Sequence, residues 1–402
     1  MLESLCVICK GRGWCGKPCP ILAKLREFQP KIKEHFSGSS PPEIFVGRYG
    51  YPSVYTGILA PPESGDTTKY SMPEQWHAEK ASILQILSYR ATLIYSRFKS
   101  NIKERKNKLL GLMQELSLSS KPVSTEFWLK KKPSFKIQLD MHMPIISNPS
   151  LLVKAKLEEN PYVERKVDYL TSDYDVKAGI AMEELYKAKI PISSIIKILS
   201  AGMIGLAIQR KLVPTRWSTT AIDSTISKQL IKKIRYYQEI SEFQLFNANY
   251  LGNYYEILFL PSSFAFEVME AKMPGSVWNP SGSTFFIAAD YEGWHGRKSY
   301  ASNTGGGYYA PRLAIVEYLG KIKRQASCLV MRECRKEYFV PCGVGILREC
   351  CREALQKKPE KFSSLKDTLQ AAQKRLKLPI KVFTKKSKLL KEYKEQKKLS
   401  EF

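Results

Sequence analysis

Four cysteines stand within the first nineteen residues, Cys6, Cys9, Cys15 and Cys19, in the pattern C-x2-C-x5-C-x3-C. Four thiolates spaced so closely form the tetrahedral donor set of a structural Zn²⁺, with no position left for a substrate water. Gly11, Gly13, Gly16 and Pro18 between them allow tight turns, and Lys10, Arg12 and Lys17 offset the negative charge of the thiolates. A pair of disulfides or an iron–sulfur cluster would use the same residues. Clustered cysteines in a cytosolic chain read first as a metal site. The segment 1–29 is therefore expected to fold as a small zinc knuckle, a structural element without chemistry of its own.

The charge balance narrows the partners. Sixty-four Lys and Arg against 38 Asp and Glu leave a formal charge of +26, in a chain of 402 residues with 44% hydrophobic content. Solubility does not require such an excess. It points to a polyanion, DNA above all. A membrane is excluded as the partner: the most apolar stretch, 190–208, contains Pro191 and Lys197 and reads as a buried helix. A cytoplasmic, nucleoid-associated location follows. The other five cysteines, Cys328, Cys334, Cys342, Cys350 and Cys351, lack ligand spacing and read as small core residues.

Along the chain, residues 43–60 alternate apolar and polar positions around Gly47, Gly50 and Pro52, predicting strands and a turn. Arg48, Tyr49, Tyr51 and Tyr55 interleave charge with aromatic rings there, a mixture suited to stacking and phosphate contact or to packing on a strand face. From 74 to 116 the apolar residues recur at three to five positions and predict helix. Arg90, Arg97, Lys99, Lys103, Arg105, Lys106 and Lys108 load it with positive charge. Residues 133–143 alternate again, and Asp140 and His142 would share a strand face. Strands over 326–350 and helices over 346–357 and 365–376 complete an α+β chain, with a mixed or antiparallel sheet and long helices.

Two polar segments are candidates for a site. In RWSTTAIDS, Arg216, Ser218 and Thr219 stand at an apparent helix start, where hydroxyls and free backbone N–H groups can hold an anion; Asp223 lies one turn on. Simple N-capping by Ser218 or Thr219 would use the same residues. In YEGWHGRKSYASNTGGGYY a long polar loop leads from a strand into a helix. It carries Asp290, His295, Arg297 and Asn303, then Gly305, Gly306 and Gly307, which would let a backbone approach a phosphate. The G-K-[ST] ending of a Walker loop is absent. Asp223, Asp290 or His295 could act as acid, base or metal ligand if the two segments form one pocket.

The chain turns lysine-rich near its end and is expected to form a mobile basic tail over 377–402. That tail finishes in Q-x-x-L-x-x-F, with Gln396, Leu399 and Phe402 spaced to fill a groove as one helical turn. The spacing looks like a PIP box, the peptide that docks on the PCNA sliding clamp, although a PIP box usually ends in two adjacent aromatics. Together with the four-cysteine knuckle, the segments FVGRYGYPSVYTG, RWSTTAIDS and YEGWHGRKSYASNTGGGYYAPRLAIVEYL resemble the archaeal Nre family of DNA-repair proteins over nearly the whole chain. The resemblance implies an N-terminal region over 30–289, a C-terminal region over 290–376, zinc on Cys6, Cys9, Cys15 and Cys19, and PCNA binding through Gln396, Leu399 and Phe402. It implies a DNA-damage role and transfers no catalytic mechanism. An enzyme acting on nucleic acid or a nucleotide, with a phosphate pocket built from 216–223 and 290–307, is the alternative.

Overall fold

In the computed structural model, residues 26–27, 32–134, 142–279 and 282–395 are described. They divide into two compact units between Ile226 and Ser227, with Pro341–Gly343 returning to the first. The four N-terminal cysteines, Asp140 and the residues Gln396, Leu399 and Phe402 lie outside the described residues.

The first unit is built on a six-stranded mixed sheet. Its strands are β1 (His35–Ser40), β2 (Glu43–Val46), β3 (Ser53–Ala60), β4 (Ile94–Asn101), β5 (Val123–Leu129) and β6 (Pro149–Leu157), in the order β1-β5-β6-β4-β3-β2. Only the β4–β6 pairing is parallel. The helices are α1 (Pro73–Ala78), α2 (Ile83–Thr92), α3 (Lys108–Ser117), α4 (Arg165–Ser172), α5 (Ala178–Lys187), α6 (Ile192–Ser200) and α7 (Thr215–Ile234), the last crossing the division. One sheet face buries Phe36, Val54, Ile58, Ile94, Phe98 and Phe127 against Leu110, Met113 and Leu116 of α3.

The long helix expected over 74–116 is instead two short helices, a strand and a third helix. Within 94–101, Ile94, Ser96, Phe98 and Ser100 point inward, while Arg97, Lys99 and Asn101 face outward to different degrees. That two-residue period is the signature of a strand, and β4 pairs with β3 along its whole length. Local signals mark the breaks: a capping box between Ser82 and Gln85 starts α2, and Asn107 caps α3. The supposed cationic helix face therefore does not exist. Arg90 is buried, and Arg97 and Lys99 lie on a sheet.

The second unit holds a second mixed sheet of β7 (Phe243–Tyr250), β8 (Asn253–Leu260), β9 (Ala265–Lys272), β10 (Phe286–Glu292), β11 (Ser327–Cys334) and β12 (Glu360–Phe362), in the order β10-β9-β11-β8-β7-β12. Strand β11 runs parallel to β9 and antiparallel to β8. The position 289/290, expected as a domain boundary, lies inside β10. Residues 336–345, expected as a strand, form turns and irregular chain as far as Val344, and Gly345 already begins a helix. The helices are α8 (Gly306–Ile322), α9 (Gly345–Gln356), α10 (Leu365–Gln373), α11 (Ile380–Lys386) and α12 (Lys388–Glu395). Alternate strand residues put Phe266 and Phe259 against Tyr308 and Tyr318 of α8 on one face. On the other, Leu258, Leu260, Met269 and Leu329 pack against α10, α11 and α12.

Residues 377–395 are thus no mobile tail. Phe383, Leu389 and Leu390 are buried in this core, and their apolar spacing is masked in the sequence by the lysines between them. Three buried carboxylates on that sheet face hold the segment. Glu256 takes both prongs of Arg375 at 2.7 and 2.8 Å. Glu333 accepts the amides of Lys377 and Leu378 at 3.1 and 2.8 Å. Glu267 accepts Ser387 Oγ at 2.5 Å and the amides of Lys388 and Leu389 at 3.0 and 3.1 Å. Burial pushes the Glu256 carboxyl up to about 7 against the pull of Arg375, and raises that of Glu267 against its three donors. Replacing Phe383 by Ala is expected to lower stability by about 3 to 5 kcal/mol, read from the midpoint of denaturant unfolding; an unchanged midpoint would mean that α11 contributes nothing to the folded core.

Candidate nucleic-acid interface

The outer face of the first unit's sheet is divided. At one end Phe45, Leu59, Tyr70, Leu93, Tyr95 and Ile146 form a second small core. The other end is open and carries cations and rings on neighbouring strands. Trp128 of β5 stands opposite Lys154 of β6, whose ammonium lies 4.5 Å from the ring centre. Tyr55 of β3 stands opposite Lys99 of β4, and the Arg97 guanidinium sits 4.3 Å above the Tyr55 ring. The pairing follows from sequence, because Phe127, Val54 and Phe98 take the inward positions and leave their neighbours outward.

The β2–β3 connection extends this surface. Gly50, at φ +80°, makes the tight turn, and Ser53 N–H closes it on the Gly50 carbonyl at 2.9 Å. The turn leaves Tyr49 72% and Tyr51 43% exposed, with the Arg48 guanidinium 5.0 Å from the Tyr49 ring. Helix α7 brings a fifth ring. Thr215 Oγ1 accepts the Val46 amide at 2.9 Å, which pins the start of α7 to the end of β2. Trp217 then lies with its ring 5.4 Å from that of Tyr51 and is 45% exposed. Large rings left in water, with cations over those of Tyr49, Tyr55 and Trp128, suit a base-stacking and phosphate-contacting surface.

The residues expected to hold an anion are arranged otherwise. Because α7 begins at Thr215, the amides of Trp217 and Ser218 are bonded to the Pro214 carbonyl at 2.8 and 3.0 Å. Ser218, Thr219 and Asp223 are buried inside the helix's packed side. Thr219 Oγ1 donates to the Thr215 carbonyl at 2.9 Å. Arg216 is partly exposed beside Trp217, and His142 is buried.

In the second unit, the loop after β10 is held by its own ions. The Asp290 carboxylate accepts the Thr304 amide at 2.9 Å and its hydroxyl at 2.8 Å, and pairs with Arg297 at 3.1 Å. Asn303 donates to the Ala289 carbonyl at 2.8 Å and Arg297 to the Tyr291 carbonyl at 2.9 Å. Buried Glu292 and Arg312 pair at 2.9 Å. The glycines have a packing reason. Gly305 turns at φ +55°, ψ −121° ahead of α8, and Gly306 is its first residue. A Cβ at Gly307 would come within 2.0 Å of the Glu270 carboxylate. That carboxylate pairs with Arg332, which also donates to Asn253 Oδ1 at 3.0 Å. The first turn of α8 therefore faces an internal anion, where its positive end is favourable. His295 is exposed.

Residues 216–223 belong to the first unit and 290–307 to the second. Among the described residues, no three His, Cys, Asp or Glu side chains are placed to hold a metal. Cys328, Cys334, Cys342, Cys350 and Cys351 are buried and form no disulfide. Sequence reading found Arg48, Tyr49, Tyr51 and Tyr55, singled out Arg97 and Lys99 but on a helix instead of a strand, and missed Trp128, Lys154 and Trp217. The available signal was the two-residue alternation of β4 and β5.

Two family models match this chain, one described as archaeal Nre, N-terminal, over residues 14–279 and one as archaeal Nre, C-terminal, over 292–402. The chain belongs to the archaeal Nre family. Similar Nre proteins include "DNA repair protein NreB" of Archaeoglobus fulgidus, 36% identical over 96% of this chain and 97% of the relative. "DNA repair protein NreA" of the same organism is 37% identical over 94% and 95%. The Haloferax volcanii protein of that name is 35% identical over 84% and 83%. No solved structure matches. No helix among the described residues is long and apolar enough to cross a membrane.

Proposed function

We propose that this Nre protein acts in DNA repair and grips DNA on the open sheet face and the β2–β3 turn of its first unit. The observation that carries the reading is the set of exposed rings Tyr49, Tyr51, Tyr55 and Trp217, with Arg48, Arg97 and Lys99 beside them. A net charge of +26 and the names of its relatives agree with it. The rings would stack on unpaired bases and the cations would follow the backbone. Lys154 and Trp128, on β6 and β5, extend the track by two strands.

Zinc on Cys6, Cys9, Cys15 and Cys19 belongs to the same reading, since four thiolates are a complete structural donor set for that ion. So does recruitment to the PCNA clamp through Gln396, Leu399 and Phe402, a spacing suited to a hydrophobic groove. The enzyme alternative draws less support: the partners of Arg297 and Asn303 are the protein's own Asp290 and carbonyl groups.

Trp217→Ala and Tyr55→Ala are each expected to weaken single-stranded DNA binding by about 1 to 3 kcal/mol with little change in the salt slope, whereas Lys99→Ala should flatten that slope by somewhat less than one unit. Fluorescence anisotropy across a salt series separates the two; normal binding by a Tyr55/Trp217 double variant would remove the interface from this face. Deleting 396–402 should abolish PCNA binding while most DNA binding survives, and a deleted protein that still binds the clamp would end that assignment. Elemental analysis should find one zinc per chain, lost in Cys15→Ser; a metal-free wild-type protein purified under reducing conditions would refute the knuckle.

A further inference from the structure

The helices that cover one face of the second unit's sheet have an outer side that the single-strand reading does not use. In α11, Phe383 turns inward, while Lys381 and Lys385, one turn apart, lie on the opposite side and are exposed. In α12, Leu389, Leu390 and Tyr393 pack on the sheet, and Lys391 and Lys394 stand in water. Both helices lay their apolar sides on the same core, so these four ammonium groups project from one side of the unit. Lys374 and Lys377, on the chain between α10 and α11, are exposed beside them. Among the described residues no carboxylate pairs with any of these six lysines; Lys388 alone takes Glu392, at 3.7 Å.

The acids under and around the layer do not cancel this charge. Residues 365–395 contain nine Lys and one Arg. Against them stand Asp367, Glu392 and Glu395 in the layer, the buried Glu256 and Glu267 beneath it, and Glu360, which shares Arg375 with Glu256. Glu333 is matched by Arg335 at 2.7 Å. Ten cations against those six acids leave an excess of four positive charges, and the lysines carry it at the surface. The layer also lacks rings: among the described residues, no large apolar or aromatic side chain of 365–395 is exposed.

We propose that this lysine layer is a second DNA site, which holds the phosphate backbone of a duplex and makes no contact with its bases. A duplex presents about one negative charge per 1.7 Å of its axis, and lysines meet such an array as point charges that require no fixed approach. A single strand would gain from stacking on rings, which this layer does not offer and the first unit's sheet does. A helix that binds an anionic membrane lays apolar side chains into it, whereas here those side chains are spent on the sheet. The layer belongs wholly to the second unit, so the site stands or falls apart from the ring-bearing face of the first.

The test titrates the full chain with a blunt DNA duplex and with an oligo-dT strand across a salt series. Lys381→Gln, Lys385→Gln and Lys391→Gln together should weaken duplex binding about tenfold or more and lower its salt slope by about two to three units, since each phosphate contact contributes about 0.9. Binding of the oligo-dT strand should stay within about twofold, because that strand stacks on the other unit. Removing the same charge at Lys321, Lys336 and Lys358, outside the layer, should leave the duplex slope within about half a unit, and the Tyr55/Trp217 double variant should keep its duplex affinity. If the triple variant does not fold, the wild-type chain decides: bound duplex should shield Lys381, Lys385 and Lys391 from acetylation, read by mass spectrometry. An unchanged slope in the folded triple variant, an equal loss in the outside variant or on the single strand, absence of shielding, or displacement of the duplex by phosphatidylglycerol vesicles at equal phosphate concentration would each overturn the proposal.

Discussion

Three carboxylates on one face of one sheet organise the second unit. Glu256, Glu267 and Glu333 sit on adjacent strands and point into the layer that α10, α11 and α12 cover. Buried acids so placed need donors, and the C-terminal chain supplies them: a guanidinium, a hydroxyl and four backbone amides. The arrangement fixes where the last helices lie more sharply than apolar packing alone, because each acid accepts donors at particular residues. The other face follows the same rule: Glu270 meets Arg332 and Glu292 meets Arg312.

This explains what the sequence disclosed and what it hid. The strand–loop–helix run from Phe286 through α8 was legible, because an apolar run, a polar loop and triple glycine follow one another. The purpose of the glycines was not. Nothing in the order of residues places Glu270 against Gly307, thirty-seven positions later, and both are needed to see that the close approach is to a side chain of the protein itself. The last helices were hidden for another reason. Lysines dominate 374–398, and a basic run reads as solvated unless its few apolar residues are followed into a core.

The candidate interface shows a middle case. Tyr49, Tyr51 and Tyr55 were visible as rings among cations, since they are close in sequence. Trp128 and Trp217 join that surface only through pairing and through the Thr215–Val46 bond, which are contacts between distant segments. Misreading β4 as helix had the same origin. Apolar steps of three to five residues overlap with strand alternation, and only the caps at Ser82 and Asn107 distinguish the two.

Helix α12 ends at Glu395 with Leu389 and Leu390 sunk into the core. Seven residues remain after it in the sequence. Fully stretched, they span at most about 25 Å. Any partner that seized these residues would therefore be held close to the second unit, on a short coupling, not at the end of a long flexible line. The orientation of α12 would then matter to such an assembly as much as the affinity of the peptide.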